Sequence, residues 1–369
     1  MKDKKINSPL ILVSPMDWGL GHATRCIPII TGLLAQNCRV MIAASGAGLV
    51  LLNKEFPQLT CLDIGGYNIR YSRKKAWMPF ILIGQFPKIL SVILKEHRWL
   101  KKAIGQYAID AVISDNRMGL FSHRVPCIYI THQLQIKTGY SIPDRFARNL
   151  HYRFINRYHE CWIPDQEKEN DLSGELSHPG ILPGIPVRYI GPLSRFRYSI
   201  AEKKYDLAII LSGPEPQRSV LEELLLKDID HVNGKIILIR GLPDSSASGR
   251  EFPSRVEVHD HLDSDVMNNV ILQSGLIISR CGYSTVMDLA ALRKKAILIP
   301  TPGQTEQEYL ARYLSEKKLF CCIGQEGFSL SGALKKSAGF SYSSFEGETT
   351  LYQQEIGRLV DSLRINSQQ

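Results

Sequence analysis

Residues 10–25 read LILVSPMDWGLGHATR, an apolar run followed by a glycine-rich loop and then by a segment compatible with a helix. The apolar run predicts a buried strand of a parallel sheet. Gly19 and Gly21 allow a tight turn and close approach of the backbone to a ligand. The helix that follows begins with free N–H groups and the positive end of its dipole, which favours an anionic or polar ligand.

The same order of short apolar run, turn and longer helical segment recurs in both halves of the chain, which is typical of βα units on a parallel sheet. The predicted strands are Leu10–Ser14, Val40–Ala44, Thr60–Asp63, Ala111–Ser114, Cys127–Thr131, Glu160–Ile163, Asp206–Leu211, Lys235–Arg240, Val256–His259, Leu276–Ser279, Ala296–Pro300 and Phe320–Ile323. The predicted helices are His22–Gln36, Ala47–Glu55, Pro79–Gly105 with proline interruptions, Asp144–His159, Gln217–Leu226, Ser264–Gln273, Ser284–Leu292 and Thr305–Lys317.

This pattern predicts an α/β protein with two Rossmann-like, doubly wound domains facing a cleft, where ligands collect at the carboxyl ends of the strands. The stretch Pro179–Tyr205 is rich in Pro and Gly and suits a hinge between the two. We expect an N-terminal domain over 1–190, a linker over 191–205, a C-terminal domain over 206–350, and a helix over 351–369 that packs back toward the first domain.

The composition limits the function classes. The chain has 369 residues, of which 44% are hydrophobic, and 45 Lys and Arg face 36 Asp and Glu, for a net charge of +9. The hydrophobic content is that of a globular protein and the positive charge favours an anionic partner. Eight cysteines without a CxxC pair indicate reduced thiols and no structural zinc. We expect a cytoplasmic protein without a signal peptide or membrane span.

Candidate catalytic residues follow three strands of the first half. His22 opens the first helix, and Asp115 follows Ala111–Ser114, where it is placed to orient the His22 ring; helix capping is the alternative for each. Gly19, Gly21 and Arg25 belong to the first loop, and His132 follows the next strand. The loop lacks the third glycine of GxGxxG, and Ala44 and Ser45 stand where a dinucleotide fold ends its second strand with an acid, which disfavours hydride transfer.

In the second half, the Ser212-Gly213 loop and the turn Arg280-Cys281-Gly282 with Thr285 place amides and hydroxyls at helix N-termini, as a diphosphate requires. Asp288 lies one turn into the helix, where its carboxylate could accept hydrogen bonds from ribose hydroxyls or simply face solvent. Polar residues after Pro300 suit a sugar, although Thr305 with Glu308 also fits a capping box.

At these residues the chain resembles glycosyltransferases of the two-Rossmann-domain GT-B type, family 28. SRCGYSTVMDLA at 279–290 and TPGQTEQEYLA at 301–311 look like that family's donor-domain signature, and WGLGHATR resembles its acceptor-side glycine loop. The resemblance implies that Arg280, Cys281, Gly282 and Thr285 bind the α-phosphate, that Asp288 binds the ribose, and that the backbone at His261 and Leu262 binds the base. It also places the donor sugar near Glu306, Gln307 and Glu308, and the diphosphate near Arg195, Ser212 and Gly213.

The resemblance predicts a hexosyltransferase that moves a sugar from a nucleotide-diphosphate donor, expected to be a UDP-sugar, to an acceptor hydroxyl with inversion. Helix dipoles and Arg would stabilise the leaving diphosphate, and no metal or cofactor is expected. His22, with Asp115, would be the base, and Gly19, Gly21, Arg25 and His132 would contact the acceptor. A non-hydrolysing UDP-sugar epimerase and a non-catalytic sugar-nucleotide or lipid-binding protein remain alternatives.

A basic segment, Arg70–Lys75, precedes the apolar residues Trp77–Ile83, which suits contact with the inner face of the cell membrane and a lipid-linked or cell-envelope glycan acceptor. The basic residues at positions 145, 148, 153 and 157 could serve the same surface. A buried helix with a solvated basic flank explains the pattern equally well. No nucleic-acid-binding module accompanies the charge.

Overall fold

The computed structural model describes residues 8–67, 78–137, 141–242 and 252–366. Its contacts divide the chain into two compact units. The first comprises the chain up to Leu193 together with the stretch from Gly347 onward, and the second comprises Ser194–Glu346.

Strands and helices are numbered along the whole chain. The strands are β1 Leu10–Pro15, β2 Arg39–Ala44, β3 Thr60–Asp63, β4 Ala111–Asp115, β5 Cys127–Ile130, β6 Glu160–Ile163, β7 Val187–Tyr189, β8 Tyr205–Ile210, β9 Ile236–Ile239, β10 Val256–His259, β11 Ser274–Arg280, β12 Ala296–Ile299 and β13 Cys321–Cys322. The helices are α1 Leu20–Ala35, α2 Gly46–Glu55, α3 Met78–Tyr107, α4 Ser141–Ile155, α5 Gln217–Lys227, α6 Ser264–Leu272, α7 Tyr283–Ala291, α8 Thr305–Glu316, α9 Leu330–Ala338 and α10 Leu351–Asn366.

The first unit is built on a parallel seven-stranded sheet in the order β3-β2-β1-β4-β5-β6-β7. Its central strands are buried on both faces, which explains their unbroken apolar sequences. The strand order reverses between β1 and β4, which is where open α/β sheets bind their ligands. The loop after β1 therefore begins at the switch point of this sheet.

The C-terminal helix α10 belongs to the first unit and packs on α1. Gly32 makes this close approach possible, because a Cβ there would lie 2.7 Å from Ile356 Cδ1. The side chains of Ile356 and Val360 are buried in this contact region.

The second unit contains a parallel six-stranded sheet in the order β10-β9-β8-β11-β12-β13. Its order reverses between β8 and β11, so the loops after these two strands lie at a second switch point. The prediction of two Rossmann-like, doubly wound domains is therefore confirmed, and each predicted strand falls on an observed one.

Two predicted elements need correction, and one helix was missed. The stretch Pro179–Tyr205, interpreted as a hinge, contains β7, which pairs with β6 and extends the first sheet; three residues are too few to give a strand pattern. Helix α3 runs without interruption, because Pro79 lies in its first turn, where no helical N–H bond is lost, and the helix continues through Pro87. Helix α9 was not predicted.

Candidate active site

His22 lies in the first turn of α1, close to the carboxyl end of β1. Gly19 is the N-cap residue, with φ 73°, a left-handed conformation that favours glycine. Register pairing of β1 with β4 sets Pro15 opposite Asp115. The Nδ1 atom of His22 consequently lies 2.9 Å from Oδ1 of Asp115, and the predicted histidine–aspartate pair forms.

Arg25 lies one helical turn after His22 and completes this cluster. Its guanidinium donates to both carboxylate oxygens of Asp115, through Nε and Nη2. Nη1 lies 3.1 Å from Nδ1 of His132, and Nη2 lies 2.9 Å from Nδ1 of His22. The sequence prediction treated Arg25 as an acceptor ligand, but its side chain is only 4% exposed and its donors are engaged within the cluster. His132 is also buried, so the polar side chain nearest to solvent is that of His22, 13% exposed.

The electrostatics of the cluster keep Asp115 ionised. Burial alone would raise the pKa of Asp115, but the Arg25 guanidinium and the His22 ring outweigh this effect and hold the pKa at about 2. Burial, together with the charge of Arg25, lowers the pKa of His22 from its ordinary value against the opposing effect of Asp115. Burial and the Arg25 charge therefore favour the uncharged imidazole form of His22.

A second buried network of polar side chains, which the sequence analysis did not predict, stabilises the glycine loop that follows β1. Arg117 and Glu96 form an ion pair of 2.8 Å with both side chains essentially inaccessible to solvent. Arg117 also donates to the Pro15 carbonyl at the end of β1, and Tyr67 donates its hydroxyl to Glu96. The backbone N–H of Tyr67 donates to the Asp17 carboxylate, so this network fixes the start of the glycine loop.

In the second unit, the N-terminus of α7 is suited to an anion, because its first turn has no acidic residue and no side chain caps its N-terminal N–H groups. The N-terminus of α5 differs, since the Glu215 carboxylate accepts a hydrogen bond from the Ser219 N–H and pairs with Arg218. Ser212 and Gly213 lie in the exposed loop that leads from β8 to α5, with Gly213 at φ 103°. Gly282 is the N-cap of α7 and Thr285 lies in its first turn.

Arg280 and Cys281 are placed differently from the prediction. The side chain of Arg280 is 2% exposed and donates to the carbonyls of Gln217 and Pro300, so it connects the loops after β8, β11 and β12. Burial lowers the pKa of Arg280 to about 10. The Cys281 side chain is buried against Cys322, and only the backbone of this turn is available to a ligand.

Asp288 lies in α7 with its carboxylate oriented toward the segment that begins the second unit. Oδ1 accepts a hydrogen bond of 2.6 Å from the Ser194 hydroxyl, and the carboxylate also accepts from the backbone N–H of Arg195. Burial raises the pKa of Asp288 to about 6, with the Arg195 charge and the Ser194 hydroxyl acting in the opposite direction. Ser194 was not predicted, because it follows no strand.

Arg195 connects this carboxylate to the loop between β10 and α6. Its Nη1 donates to Ser264 Oγ, 3.2 Å away, at the first residue of α6. His261 and Leu262 lie in that loop, and the side chain of His261 is exposed.

The residues predicted to read the donor sugar begin α8. Gln307 Oε1 accepts from the Thr301 N–H and Glu308 Oε1 accepts from the Gly303 N–H, at 2.9 and 2.8 Å. These side chains thus stabilise their own loop, and the alternative interpretation, a Thr305–Glu308 capping box, does not apply, because Gln304 is the N-cap. Glu306 lies in the same first turn. Glu308 also lines a cavity of about 660 Å³ together with Pro300, Ala311, Arg312, Ser315, Cys322, Ile323, Gly324 and Lys336.

Among the described residues, one group of three side chains has the chemistry of a metal site: Asp165, Asp171 and His178. The carboxylate of Asp165 accepts from three backbone N–H groups and from the hydroxyls of Ser173 and Ser177. Both ring nitrogens of His178 face backbone carbonyls. These hydrogen bonds explain why the three side chains lie together: they stabilise the loop that follows β6.

The segment predicted to contact membrane, Arg70–Lys75 and Trp77, lies outside the described residues, and the residues 78–83 that follow begin α3. None of the helices in the described part of the chain is long and apolar enough to cross a bilayer.

Comparisons with known proteins agree with this architecture. Residues 220–347 match the model of the glycosyltransferase family 28 C-terminal domain. An uncharacterized glycosyltransferase of Methanosarcina mazei is 22% identical over 324 residues, which are 81% of this chain and 81% of that protein. The UDP-N-acetylglucosamine–N-acetylmuramyl-(pentapeptide) pyrophosphoryl-undecaprenol N-acetylglucosamine transferase of an Exiguobacterium species is 24% identical over 308 residues, 72% of this chain and 80% of that protein.

Among solved structures, Acinetobacter baumannii MurG superposes with a TM-score of 0.56 at 14% identity, covering 96% of this chain and 99% of that chain. The fold and the family match together define a glycosyltransferase of the GT-B type that uses a nucleotide-sugar donor. The match over 220–347 supports the predicted resemblance to family 28 glycosyltransferases of the GT-B type, and the predicted enzyme class, a hexosyltransferase, is supported.

Proposed function

We propose that this protein transfers a hexose from a UDP-sugar to an acceptor hydroxyl with inversion at the anomeric carbon and without a bound metal. The observation that carries the proposal is the His22–Asp115 pair in the first turn of α1, in a chain whose second unit carries a family 28 domain. An uncharged imidazole whose Nδ1–H donates to Asp115 has the lone pair of Nε2 available to take a proton.

The proposed reaction is a single displacement. His22 removes the proton of the acceptor hydroxyl, the hydroxyl oxygen attacks the anomeric carbon from the face opposite the diphosphate, and the nucleoside diphosphate leaves. The N-terminal N–H groups of α7 stabilise the charge that develops on the departing oxygens. Two carboxylates in the first turn of α8 disfavour phosphate there and suit sugar hydroxyls instead.

For the nucleotide, we propose that Asp288 accepts hydrogen bonds from the ribose and that the backbone at His261 and Leu262 contacts the base. The Asp288 carboxylate accepts hydrogen bonds from one side chain, the Ser194 hydroxyl, and from one backbone N–H. This supports the proposal, because lone pairs of the carboxylate remain for further donors. Arg280 serves this site indirectly, by holding the loops that surround it.

For the acceptor, we propose a lipid-linked or cell-envelope glycan reached at a membrane surface. In the first unit, Ile93 of α3 and Phe154 of α4 belong to one buried apolar cluster. Both helices expose apolar side chains, namely Leu90, Leu94 and Phe146, the last of them 72% exposed. Exposed basic residues accompany them on the same helices: Lys88, Lys95, Arg98, Arg145 and Arg153. Apolar and basic side chains on one surface favour anionic lipid.

The test is a thermal-shift screen of UDP-, GDP- and dTDP-sugars, followed by product analysis with the donor that stabilises the protein. A bound donor raises the stability by RT ln(1 + [L]/Kd), so preferential stabilisation by a UDP-sugar is expected. Release of UDP with a new glycosidic bond of inverted configuration supports the transferase. Interconversion of the UDP-sugar without an acceptor would show an epimerase, and stabilisation without turnover under any acceptor would show a binding protein.

A further inference from the structure

The buried cluster around His22 contains more charge than a histidine–aspartate pair needs. Arg25 donates to both oxygens of Asp115, and its Nη2 is as close to His22 Nδ1, 2.9 Å, as Asp115 Oδ1 is. The guanidinium is 4% exposed and the carboxylate 0%. The Arg25 side chain therefore contacts and positions His22, and it is buried away from the surface that a substrate would contact.

The groups that face the His22 ring come from three elements. Asp115 belongs to β4, Arg25 belongs to α1, and His132 follows β5 and accepts from Arg25. The Cys26 thiol lies 3.8 Å from the second oxygen of Asp115. When His22 is uncharged, the negative charge of Asp115 and the positive charge of Arg25 cancel. Once His22 takes a proton, two cations share one carboxylate.

We infer that Arg25 sets the protonation state of His22, by neutralising Asp115 so that the imidazole stays uncharged until the acceptor hydroxyl gives up its proton. This inference deepens the proposed function, on which it rests, because it assigns a second positioning residue to the proposed base. In a pair without arginine, an unopposed buried carboxylate favours the imidazolium, which cannot act as a base. The burial of His22 and the nearby Arg25 charge both lower the pKa of His22, in agreement with this role.

The experiment measures His22 directly, by NMR titration of the protein labelled with ¹⁵N at histidine, with His22→Gln used to assign its signal among ten histidines. We expect the wild-type ring to carry its neutral-state proton on Nδ1. In Arg25→Gln the titration midpoint should rise by about 1 pH unit or more, the scale on which a neighbouring charge acts. Arg25→Lys, which keeps the charge, should stay near the wild-type midpoint. His97, which bonds the Phe121 carbonyl elsewhere in the unit, is the internal control.

Arg25→Gln leaves Asp115 buried with less support and could prevent folding, so a second comparison avoids an uncompensated carboxylate. Asp115→Asn should lower the His22 midpoint, and adding Arg25→Gln to Asp115→Asn should raise it again. An unchanged or lower midpoint on removing Arg25 in either background would overturn the inference.

The pH dependence of kcat distinguishes this inference from the proposed function. If His22 is the base, the acid limb of kcat moves upward with the NMR midpoint in Arg25→Gln. If the NMR midpoint moves and the acid limb does not, the role of Arg25 stands and the assignment of His22 as the base fails.

Discussion

Replacing Asp288 by asparagine should stabilise the folded protein and lower its affinity for the nucleotide-sugar donor at the same time. The carboxylate accepts from the Ser194 hydroxyl and the Arg195 N–H, and an asparagine oxygen can accept both bonds without charge. Burial raises the pKa of Asp288 to about 6. An acid with a raised pKa in the folded state binds its proton more tightly there than in the unfolded chain. Ionisation therefore costs stability above pH 6, and the cost disappears as the pH falls toward 4.

The size of the effect follows from that displacement of the pKa. Each pKa unit corresponds to 1.36 kcal/mol, so the gain in the free energy of unfolding of Asp288→Asn has an upper limit of about 3 kcal/mol. Partial solvent contact of the side chain reduces the expected gain to about 1–3 kcal/mol. Loss of charge-assisted hydrogen bonds to the ribose should weaken UDP binding by about 1.5–3 kcal/mol, or about 10- to 150-fold.

The assay is urea unfolding of the wild type and Asp288→Asn at pH 7.5 and pH 4.5, with calorimetric titration of UDP at pH 7.5. The gain in stability at pH 4.5 should be about one third of the gain at pH 7.5. Asp230→Asn, at an exposed aspartate of the same unit, is the matched control and should change neither quantity. A variant that is less stable than the wild type at pH 7.5 would refute the electrostatic reasoning. Unchanged UDP affinity would refute the ribose assignment alone.

His22→Gln should lower kcat by about 10²- to 10⁴-fold while the Kd for UDP stays near wild type, and turnover close to wild type in steady-state assays would exclude His22 as the base. Arg117→Met should cost about 3–5 kcal/mol in urea unfolding, because it leaves Glu96 buried without its ion-pair partner; addition of Glu96→Leu should restore most of the loss, and a single variant as stable as wild type would contradict this. Flotation with anionic vesicles should decrease at high salt and in Phe146→Ser with Leu94→Ser, and salt-insensitive or absent flotation of the wild type would favour a soluble acceptor.

The sequence favoured a contact between His22 and Asp115 without showing that the two side chains meet, and the reason lies in the geometry of parallel sheets. Apolar runs identify the strands, the carboxyl ends of adjacent parallel strands coincide, and polar residues that follow two such strands must meet. The pairing of β1 with β4 provides that adjacency. The β7 strand was missed, because three residues between Pro- and Gly-rich segments carry no periodicity.

What the sequence could not give is the direction in which each polar side chain turns. Arg25 follows the glycine loop, and nothing in its local pattern distinguishes a ligand contact from a buried partner of Asp115. Gln307 and Glu308 turn back to the N–H groups of Thr301 and Gly303, because buried backbone donors need partners. One usable signal was available: a buried carboxylate such as Asp115 needs a compensating cation, and Arg25 is one turn from His22.

The pKa values of the buried carboxylates Asp115 and Asp288 are displaced in opposite directions, and this contrast predicts the acid side of the pH profile. Asp115 is paired with Arg25 and keeps its charge down to a pKa of about 2, whereas Asp288 has its pKa raised to about 6. As the pH falls through 6, Asp288 should lose its charge and the KM for the donor should rise. The pKa of His22 is depressed by burial and by the Arg25 charge, so the uncharged fraction of His22 declines in acid and kcat should fall with it. Asp288→Asn should therefore abolish the pH dependence of the donor KM near 6 and leave the acid limb of kcat in place. Steady-state kinetics from pH 4.5 to 8 measure both, and a kcat limb that disappears in this variant would show that the two groups do not act separately.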